Sequence, residues 1–339
     1  MTTSNMREPA MVDVARLAGV SHQTVSRVLN NHPNVRVETA RRVRAAIAEL
    51  GYRPNRAARA LVTGRSQLLG VVALNTTLYG PASLLTAFEQ AAGSAGFAVS
   101  VGSVPSLDRQ SISAVVERHL DQRVAGIVAI APVASAAEAL QGLTADVPLV
   151  TVDGDPERPG TGVTVDQAAG ARAATEHLLA AGHRTVWHVS GPADRFDSAG
   201  RVVGWESALR AAGAEVPPVF PGDWSAATGY RVGQTLARIP EVTAVFAAND
   251  HLALGILRAL HERSLRVPDD ISVVGFDDVP EAGYFIPPLT TIRPDFHAVA
   301  ESALNLLLSR IEGGEPSVEQ QYTLAPTLVQ RDSVARPRT

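Results

Sequence analysis

Carboxylate and amide side chains follow three short apolar segments of the chain. Asp153 ends the first segment, Asn249 and Asp250 end the second, and Asp277 and Asp278 end the third. Each group alone could simply cap a following helix. If the three segments are parallel strands, their carboxyl ends face one crevice, where ligands of such folds bind. Because these groups accept and donate hydrogen bonds, we predict a site there for a polar ligand.

The apolar segments recur along most of the chain and have the length of buried strands. They are separated by helical stretches of about a dozen residues, and this alternation indicates parallel, doubly wound sheets covered on both faces. About 270 residues in two such series favour two α/β lobes over a single sheet. The predicted strands are 68–74, 97–101, 125–130, 149–152, 185–189, 243–247 and 271–276.

The residue inventory argues against catalysis. The chain has no cysteine, which excludes disulfides, zinc–thiolate sites and thiol nucleophiles. No pattern indicates an activated nucleophile, a metal cluster or a glycine-rich phosphate loop. His177, His183 and His188 fall on a predicted helix, a turn and a strand, so we interpret them as incidental. We therefore predict a protein that is not an enzyme and that uses no cofactor or metal.

The start of the chain has the pattern of a small helical domain. A short helix with one apolar face is predicted at 12–18, and Gly19 provides a tight turn after it. Ser21 is placed to cap a second helix over 22–30, and a third helix is predicted over 37–50. Two short helices joined by a glycine turn form a helix-turn-helix, whose second helix can enter the DNA major groove.

Charge is divided unevenly along the chain. Residues 1–66 hold 11 arginines and 4 acidic residues, a net charge of +7, whereas the remainder holds 19 arginines and 30 acidic residues, a net charge of −11. This asymmetry favours a small polyanion-binding head on an acidic body, with a chance imbalance on solvated faces as the alternative. The chain contains no lysine, so the choice of arginine at a position is not by itself a sign of function.

Ordered motifs in both parts of the chain make a family resemblance specific. They are 13–15 (DVA), 18–21 (AGVS), 24–30 (TVSRVLN) and 50–55 (LGYRPN) in the head, and 249–255 (NDHLALG), 268–278 (PDDISVVGFDD), 286–292 (IPPLTTI) and 295–296 (DF) in the body. Together they resemble the lac repressor (LacI/GalR) family of transcription factors, whose effector domain resembles periplasmic sugar-binding proteins. The resemblance extends from about Val12 to Arg331.

The resemblance implies an all-α helix-turn-helix head and an α/β, periplasmic-binding-protein-like body of two doubly wound parallel-sheet lobes. The expected parts are a DNA-binding head at 1–51, a hinge helix and linker at 52–66, and an effector-binding and dimerisation domain at 67–339, with the chain crossing between lobes near 162–166, 291–295 and 322–324. It also implies a sequence-specific repressor that binds a pseudo-palindromic operator as a homodimer. A sugar or small glycoside bound between the lobes is expected to release it.

Residues of the head and hinge receive roles on DNA from their positions in that family. The start of the second helix is expected to reach base edges, while neighbouring residues reach phosphates. His22 stands where the family's type member has tyrosine, so a different operator is expected. Leu61 matches a leucine wedged into the minor groove, with packing against the other hinge helix or the body as the alternative. The predicted DNA-binding residues are Ser21, His22, Gln23, Thr24, Ser26, Arg27, Asn30, Asn55, Arg56, Arg59 and Leu61.

The same family positions predict an effector site in the crevice. Its residues are Leu78, Pro81, Asp153, Asp197, Arg201, Trp224, Asn249, Asp277 and Phe296. Such polar groups suit the hydroxyls of a neutral sugar, and its C–H faces suit rings such as Trp224 and Phe296, each of which could instead be a core aromatic. Asp197 and Ile130 stand where the type member has a hydroxyl and an amide. The expected ligand is therefore a sugar or small glycoside, and not necessarily a galactoside.

Two other interpretations stay open at this point. The first is a sugar-binding or transport-associated module without a DNA role, which the basic head and the absence of an apolar signal segment disfavour. The second keeps the family but has the ligand strengthen DNA binding, whereas Trp224 and the polar set favour an inducer.

No apolar run reaches the length of a membrane span, about 18 residues. We therefore expect a cytoplasmic, nucleoid-associated protein with no membrane partner. Residues 334–339 carry no leucine heptads, which favours a dimer over a tetramer. The expected partners are operator DNA, a sugar and a second copy of the chain, while the sequence names neither the sugar nor the operator.

Overall fold

The computed structural model describes residues 9–29, 32–52, 66–74, 77–104, 109–130, 140, 147–153, 161–313 and 321–338. The chain separates into two compact units, Met1–Ser66 and Gln67–Thr339. The first unit is helical and the second alternates strands with helices, which confirms the predicted fold class.

The first unit, which we call the head, folds around a small apolar core. Its helices are α1 (Met11–Ala18), α2 (His22–Leu29) and α3 (Val37–Leu50). Val14, Val25 and Val43, one from each helix, are fully buried in a single cluster. Gly19 ends α1 with a φ of 64°, and its N–H faces carbonyl groups of the preceding turn. This left-handed residue reverses the chain directly into α2, as the glycine turn predicted.

The first lobe of the body contains a six-stranded parallel sheet. Its strands are β1 (Leu68–Leu74), β2 (Ala98–Val104), β3 (Gly126–Ile130), β4 (Leu149–Val152), β5 (Gly162–Val165) and β10 (Gln321–Leu324), in the order β10-β5-β4-β3-β1-β2. Helices α4 (Tyr79–Ser94) and α10 (Phe296–Ile311) cover one face, and α5 (Arg109–Asp121) covers the other. Val71 belongs to the core on the first face and Val72 to the core on the second. Alternate residues of one strand are thus buried on both sides, which explains its continuous apolar sequence.

The second lobe contains a five-stranded sheet. Its strands are β6 (Trp187–Val189), β7 (Ala244–Ala247), β8 (Ser272–Phe276), β9 (Thr290–Arg293) and β11 (Thr327–Val329), in the order β11-β9-β8-β7-β6. Helices α6 (Gln167–Ala180) and α7 (Phe196–Ala211) cover one face, and α8 (Ala226–Leu236) and α9 (Asp250–Glu262) cover the other. A 3-10 helix, Pro280–Tyr284, follows β8.

One edge of this second sheet departs from the predicted parallel arrangement. Strand β11 pairs with β9 in the antiparallel sense. It follows β10 of the other lobe after only two residues, so the chain enters the second sheet at its carboxyl edge and runs opposite to β9.

The chain passes between the lobes three times. Strand β5 leads into α6 of the second lobe, β9 leads into α10 of the first, and β10 leads into β11. All three passages leave a strand at its carboxyl end. The carboxyl edges of the two sheets are thereby held close to each other.

Helices α8 and α9 pack closely because glycines lie at their contact. A Cβ added to Gly255 would lie 2.0 Å from the carbonyl oxygen of Ala226. A Cβ added to Gly229 would lie 2.1 Å from the carbonyl oxygen of Leu252. Larger residues at either glycine would therefore force the two helices apart.

Candidate functional site

A cavity of about 210 Å³ lies between the carboxyl ends of the strands of the two lobes. The first turns of α4, α6, α7, α8, α9 and α10 contribute to its walls, so their N-terminal partial positive charges offset part of the negative charge of the lining carboxylates. All nine residues predicted for the effector site line this cavity, namely Leu78, Pro81, Asp153, Asp197, Arg201, Trp224, Asn249, Asp277 and Phe296.

Two of the five strand-end groups singled out in the sequence do not reach the cavity. Asp250 is fully buried, and it accepts hydrogen bonds from the backbone N–H of Val279 at 2.8 Å and the hydroxyl of Thr291 at 2.6 Å. Asp278 pairs with Arg331 at 2.6 Å. Both carboxylates therefore hold the second lobe together, and each of these two strand ends presents only the first of its two polar residues to the cavity.

Arg201, on α7, is a buried cation with a fixed orientation. Its Nε donates to Oε1 of Gln167 at 2.9 Å, and its Nη1 donates to the carbonyl oxygen of Ala248. Its Nη2 lies 3.5 Å from Oδ1 of Asp277, and its Cζ lies 3.6 Å from the centroid of the Phe276 ring. Contacts from α6, β8 and the ends of β7 and β8 thus preorganise the guanidinium at the cavity wall.

Asp153 and Asp277 bring two buried carboxyl groups with shifted pKa values to the cavity. Burial raises the pKa of each to about 6. The Oδ1 of Asp153 accepts hydrogen bonds from the N–H of Val165 at 3.2 Å and the hydroxyl of Thr164 at 3.4 Å. Arg201 favours the ionised form of Asp277, but burial outweighs it. Both groups change charge near neutral pH, so their hydrogen bonds to a ligand depend on pH.

An arginine that the sequence analysis did not select neutralises Asp197. The Nε and Nη2 of Arg195 donate to the two carboxylate oxygens of Asp197 at 3.0 Å and 2.7 Å. The side chains are 6% and 14% exposed, so this is a bidentate ion pair largely shielded from water. The extra carboxylate predicted at Asp197 therefore carries its own counter-ion instead of presenting a free charge to a ligand.

Trp224 and Asn249 serve the fold as well as the cavity wall. Trp224 is 6% exposed, belongs to the core cluster of the second lobe, and has the guanidinium of Arg201 5.3 Å from its ring centroid. Asn249 caps α9, because its Oδ1 accepts from the N–H of Leu252 at 2.9 Å while its Nδ2 donates to the carbonyl oxygen of Trp224 at 3.2 Å. The two interpretations given for each residue in the sequence, structural element and pocket wall, therefore both apply.

An apolar wall faces these polar groups. Leu78, Pro81 and Ile130 contribute aliphatic surface. The rings of Tyr79 and Phe296 lie edge to face with their centroids 6.1 Å apart. A ligand with one polar and one apolar face would satisfy both sides of the cavity.

Backbone strain is concentrated at the same place. Asp153, Trp224 and Asp277 have φ values of 53°, 69° and 102°, in the left-handed region that favours glycine. Such residues cost about 1–3 kcal/mol each and cluster at functional sites. Three of the six described non-glycine residues with positive φ thus line this cavity, as is common at binding sites.

Several lining residues were not selected from the sequence, and four of them carry polar or aromatic side chains of interest. They are Tyr79, Gln167, Arg195 and His251. Gln167 directly follows the predicted crossing at 162–166, which was a usable signal. Arg195 carried little signal, because the chain's 30 lysine and arginine positions are all arginine.

In the head, Ser21 acts as the N-terminal cap of α2. Its Oγ accepts from the N–H of Thr24 at 3.2 Å and shares a second hydrogen bond with the Thr24 hydroxyl at 2.9 Å. This contact fixes the start of the helix that was predicted to enter the major groove.

The outer surface of α2 presents polar side chains to solvent. His22, Gln23 and Arg27 are exposed, and Ser26 is half-buried. Arg27 makes no ion pair with the described residues, whereas Arg41 of α3 lies 3.8 Å from Glu38. The predicted residues Asn30, Asn55, Arg56, Arg59 and Leu61 lie outside the described residues.

The described residues lack two other kinds of site. No group of histidine and acidic side chains there has the arrangement of a metal site. No helix in the described part of the chain is long and apolar enough to span a bilayer.

Comparison with known proteins assigns the chain to a family. Residues 10–55 match the family described as bacterial regulatory proteins, lacI family, and residues 175–334 match the periplasmic binding protein-like domain. The lactose operon repressor of Escherichia coli (strain K12) is 35% identical over 98% of this chain and 93% of its own length. The chain belongs to the lacI family of bacterial regulatory proteins. This lacI-family member is accordingly a DNA-binding transcriptional regulator, and its head is the family's helix-turn-helix.

Further relatives of this lacI-family member are similar over nearly their whole length. The transcriptional repressor PurR of Escherichia fergusonii is 35% identical over 95% of this chain and 96% of its own. A crystal structure of the lac repressor dimer bound to operator and the anti-inducer ONPF has a TM-score of 0.88 at 34% identity, covering 97% of this chain and all of that one. A complex of the transcriptional regulator CelR with cellobiose has a TM-score of 0.71 at 31% identity, covering 96% of this chain and 99% of that one. These relatives are regulators, not enzymes.

Proposed function

We propose that the protein is a transcriptional repressor that binds a pseudo-palindromic operator as a homodimer and is released by a sugar or small glycoside. The inducer occupies the cavity between the lobes and is contacted by the nine lining residues predicted from the sequence. The protein acts in the cytoplasm, where its operator lies, and it catalyses no reaction.

The pairing of charges inside the cavity is the observation that carries the sugar assignment. Arg195 is bound to Asp197, and Arg201 is bound to Asp277, so neither cation is available to hold an anionic ligand alone. The hydrogen-bonding atoms left at the wall suit hydroxyl groups, which both donate and accept. The opposite wall, with Phe296, suits the C–H face of a sugar ring.

The head supports the DNA-binding half of the proposal. The capped helix α2 exposes His22, Gln23 and Arg27 on one surface, which is the arrangement a recognition helix needs to read base edges. The lac repressor structure noted above is a dimer on operator DNA. Dimerisation follows for this chain because two heads must reach two half-sites.

We propose that the ligand releases the repressor from DNA and does not recruit it. One relative of this chain is a PurR repressor, and others were solved with ONPF or cellobiose. The hydroxyl-matching groups and the apolar wall described above favour a sugar, and a repressor that responds to its sugar by leaving DNA permits use of that sugar.

The proposal is tested by fluorescence anisotropy with a labelled duplex from the promoter beside the protein's own gene. We expect tight binding that weakens with salt, that excess bulk DNA displaces only poorly, and that an added sugar reverses. Equal affinity for the promoter and for bulk DNA would overturn the repressor assignment. Binding that a sugar strengthens would overturn the inducer assignment and leave the repressor in place.

A further inference from the structure

We infer that Gln167 recognises the effector directly, by donating a hydrogen bond from its side-chain amide to a hydroxyl oxygen of the sugar. This inference rests on the proposed function and adds to it a neutral donor at a known place on the cavity wall. Gln167 is the first residue of α6 and lines the cavity immediately after the chain has crossed from the first lobe.

The hydrogen bond to Arg201 fixes which end of the Gln167 amide faces the ligand. A guanidinium group can only donate, so the Gln167 atom 2.9 Å from the Nε of Arg201 must be its carbonyl oxygen. The assignment of oxygen and nitrogen, which is ambiguous for many amides, is therefore determined by chemistry here. The Nε2 group with its two N–H donors must lie on the other branch of the amide.

The partner that holds Gln167 has further contacts of its own. Arg201 also donates to the carbonyl oxygen of Ala248 and stacks on Phe276 at 3.6 Å. The base of the Gln167 side chain rests against α7, since a Cβ added to Gly200 would lie 2.9 Å from the Cβ of Gln167. The amide is thus clamped at its base and at its oxygen, and its donor group needs little reordering to bind a ligand.

The side-chain amide nitrogen of Gln167 has no hydrogen-bond acceptor among the described residues. Gln167 Nε2 makes no hydrogen bond to any described residue, and the residue is half-buried and lines the cavity. The other neutral amide of the wall is largely committed, because Asn249 caps α9 and donates to the Trp224 carbonyl oxygen. Gln167 therefore offers both of its amide N–H groups to a ligand, whereas Asn249 has only one N–H left.

The nearby acceptors complete a hydroxyl-binding set. The carboxylate of Asp277 lies beside Arg201 and can accept the proton of a hydroxyl. The oxygen of the same hydroxyl can then accept from Gln167 Nε2. This pairing uses both capacities of a hydroxyl group, and a ligand without it would leave buried polar atoms unpaired.

Binding is measured first on the full-length wild type by thermal shift and calorimetry with D-galactose, D-glucose, their methyl β-glycosides, lactose and cellobiose. The sugar that binds most tightly is then titrated into Gln167→Met, which removes the amide but keeps the length, and into Gln167→Glu, which keeps an acceptor for Arg201 but removes the donors. Exposed Gln90 on α4, changed to methionine, is the matched control. The affinities of wild type and Gln167→Met are also measured for each monodeoxy analogue of that sugar, so that each analogue gives one double-mutant cycle.

We expect Gln167→Met to weaken sugar binding about 10-fold, as loss of one hydrogen bond does, and Gln90→Met to leave it unchanged. The loss of affinity should depend on one hydroxyl of the sugar. The deoxy sugar that lacks this hydroxyl should therefore bind wild type and Gln167→Met with equal affinity. Unchanged affinity in Gln167→Met would overturn this inference while leaving the repressor assignment intact. A loss in Gln167→Met with full affinity in Gln167→Glu and no coupling to any hydroxyl would also overturn it, because Gln167 would then only position Arg201. If no sugar stabilises the wild type, the sugar assignment itself is wrong.

Discussion

Replacing Asp153 by asparagine isolates the energetic cost of a carboxylate at the cavity. The substitution removes only the charge, because an asparagine oxygen can still accept from the N–H of Val165 and the hydroxyl of Thr164. The backbone is also preserved, since asparagine tolerates the φ of 53° found at this position. Any pH-dependent difference between the two proteins therefore reports on ionisation of Asp153.

The magnitude follows from the shift in the pKa of Asp153, which burial raises from 3.8 to about 6. The folded state binds the proton more tightly than the unfolded state, so its stability is highest below about pH 4 and falls as pH rises through about 6. About two pKa units at about 1.4 kcal/mol each cost the wild type at most about 3 kcal/mol at about pH 7.5, and about half of that at about pH 5. The asparagine variant does not bear this cost.

Urea denaturation followed by circular dichroism at several pH values measures the effect. We expect the stability of Asp153→Asn relative to wild type to increase by about 1–2 kcal/mol between about pH 5 and about pH 7.5. The sugar affinity of Asp153→Asn should be about 10-fold or more below that of wild type at the higher pH, because a hydrogen bond to a charged acceptor is lost. Parallel stability curves for the two proteins would refute the reasoning, since the carboxylate would then carry no burial cost.

Three further changes test other parts of the account. Arg27→Ala should cost about 1–3 kcal/mol of operator discrimination in competition anisotropy, whereas Arg41→Ala, on a neighbouring helix, should leave discrimination unchanged. Gly255→Ala should destabilise the protein by at least about 2 kcal/mol in thermal denaturation, because the added Cβ meets the backbone of α8. The control Gly93→Ala, whose Cβ faces open space, should stabilise the protein by about 0.5–1 kcal/mol. Leu61→Ala should weaken operator binding and leave sugar binding intact; loss of both would indicate a role in folding instead.

Much of the fold was predictable because the buried strands are continuous apolar segments of the sequence. The apolar run at 68–74 was predicted as a strand and is β1, and the run at 149–152 is β4. Strands β10 and β11 were not predicted. They are short edge strands with exposed or half-buried residues, and they exist only because distant strands provide hydrogen-bond partners.

The site was predictable in its residue types but not in its pairings. The neighbours Asp277 and Asp278 have similar sequence surroundings, yet φ values of 102° and 50° turn the first to the cavity and the second to Arg331. Local sequence does not determine such left-handed residues, because the surrounding tertiary structure holds them. The pairing of Arg195 with Asp197 likewise depends on burial, which the sequence alone does not show.

The central claim is that one ligand in the cavity controls DNA binding by the head, and a linkage measurement tests it most directly. Sugar affinity is measured by calorimetry with the free protein and with the protein saturated by operator duplex, and operator affinity is measured with and without sugar. We predict that operator weakens sugar binding by the same factor by which sugar weakens operator binding, as thermodynamic reciprocity requires, with a factor of about 5 to 150. Equal sugar affinity in the free and operator-bound protein would contradict the account.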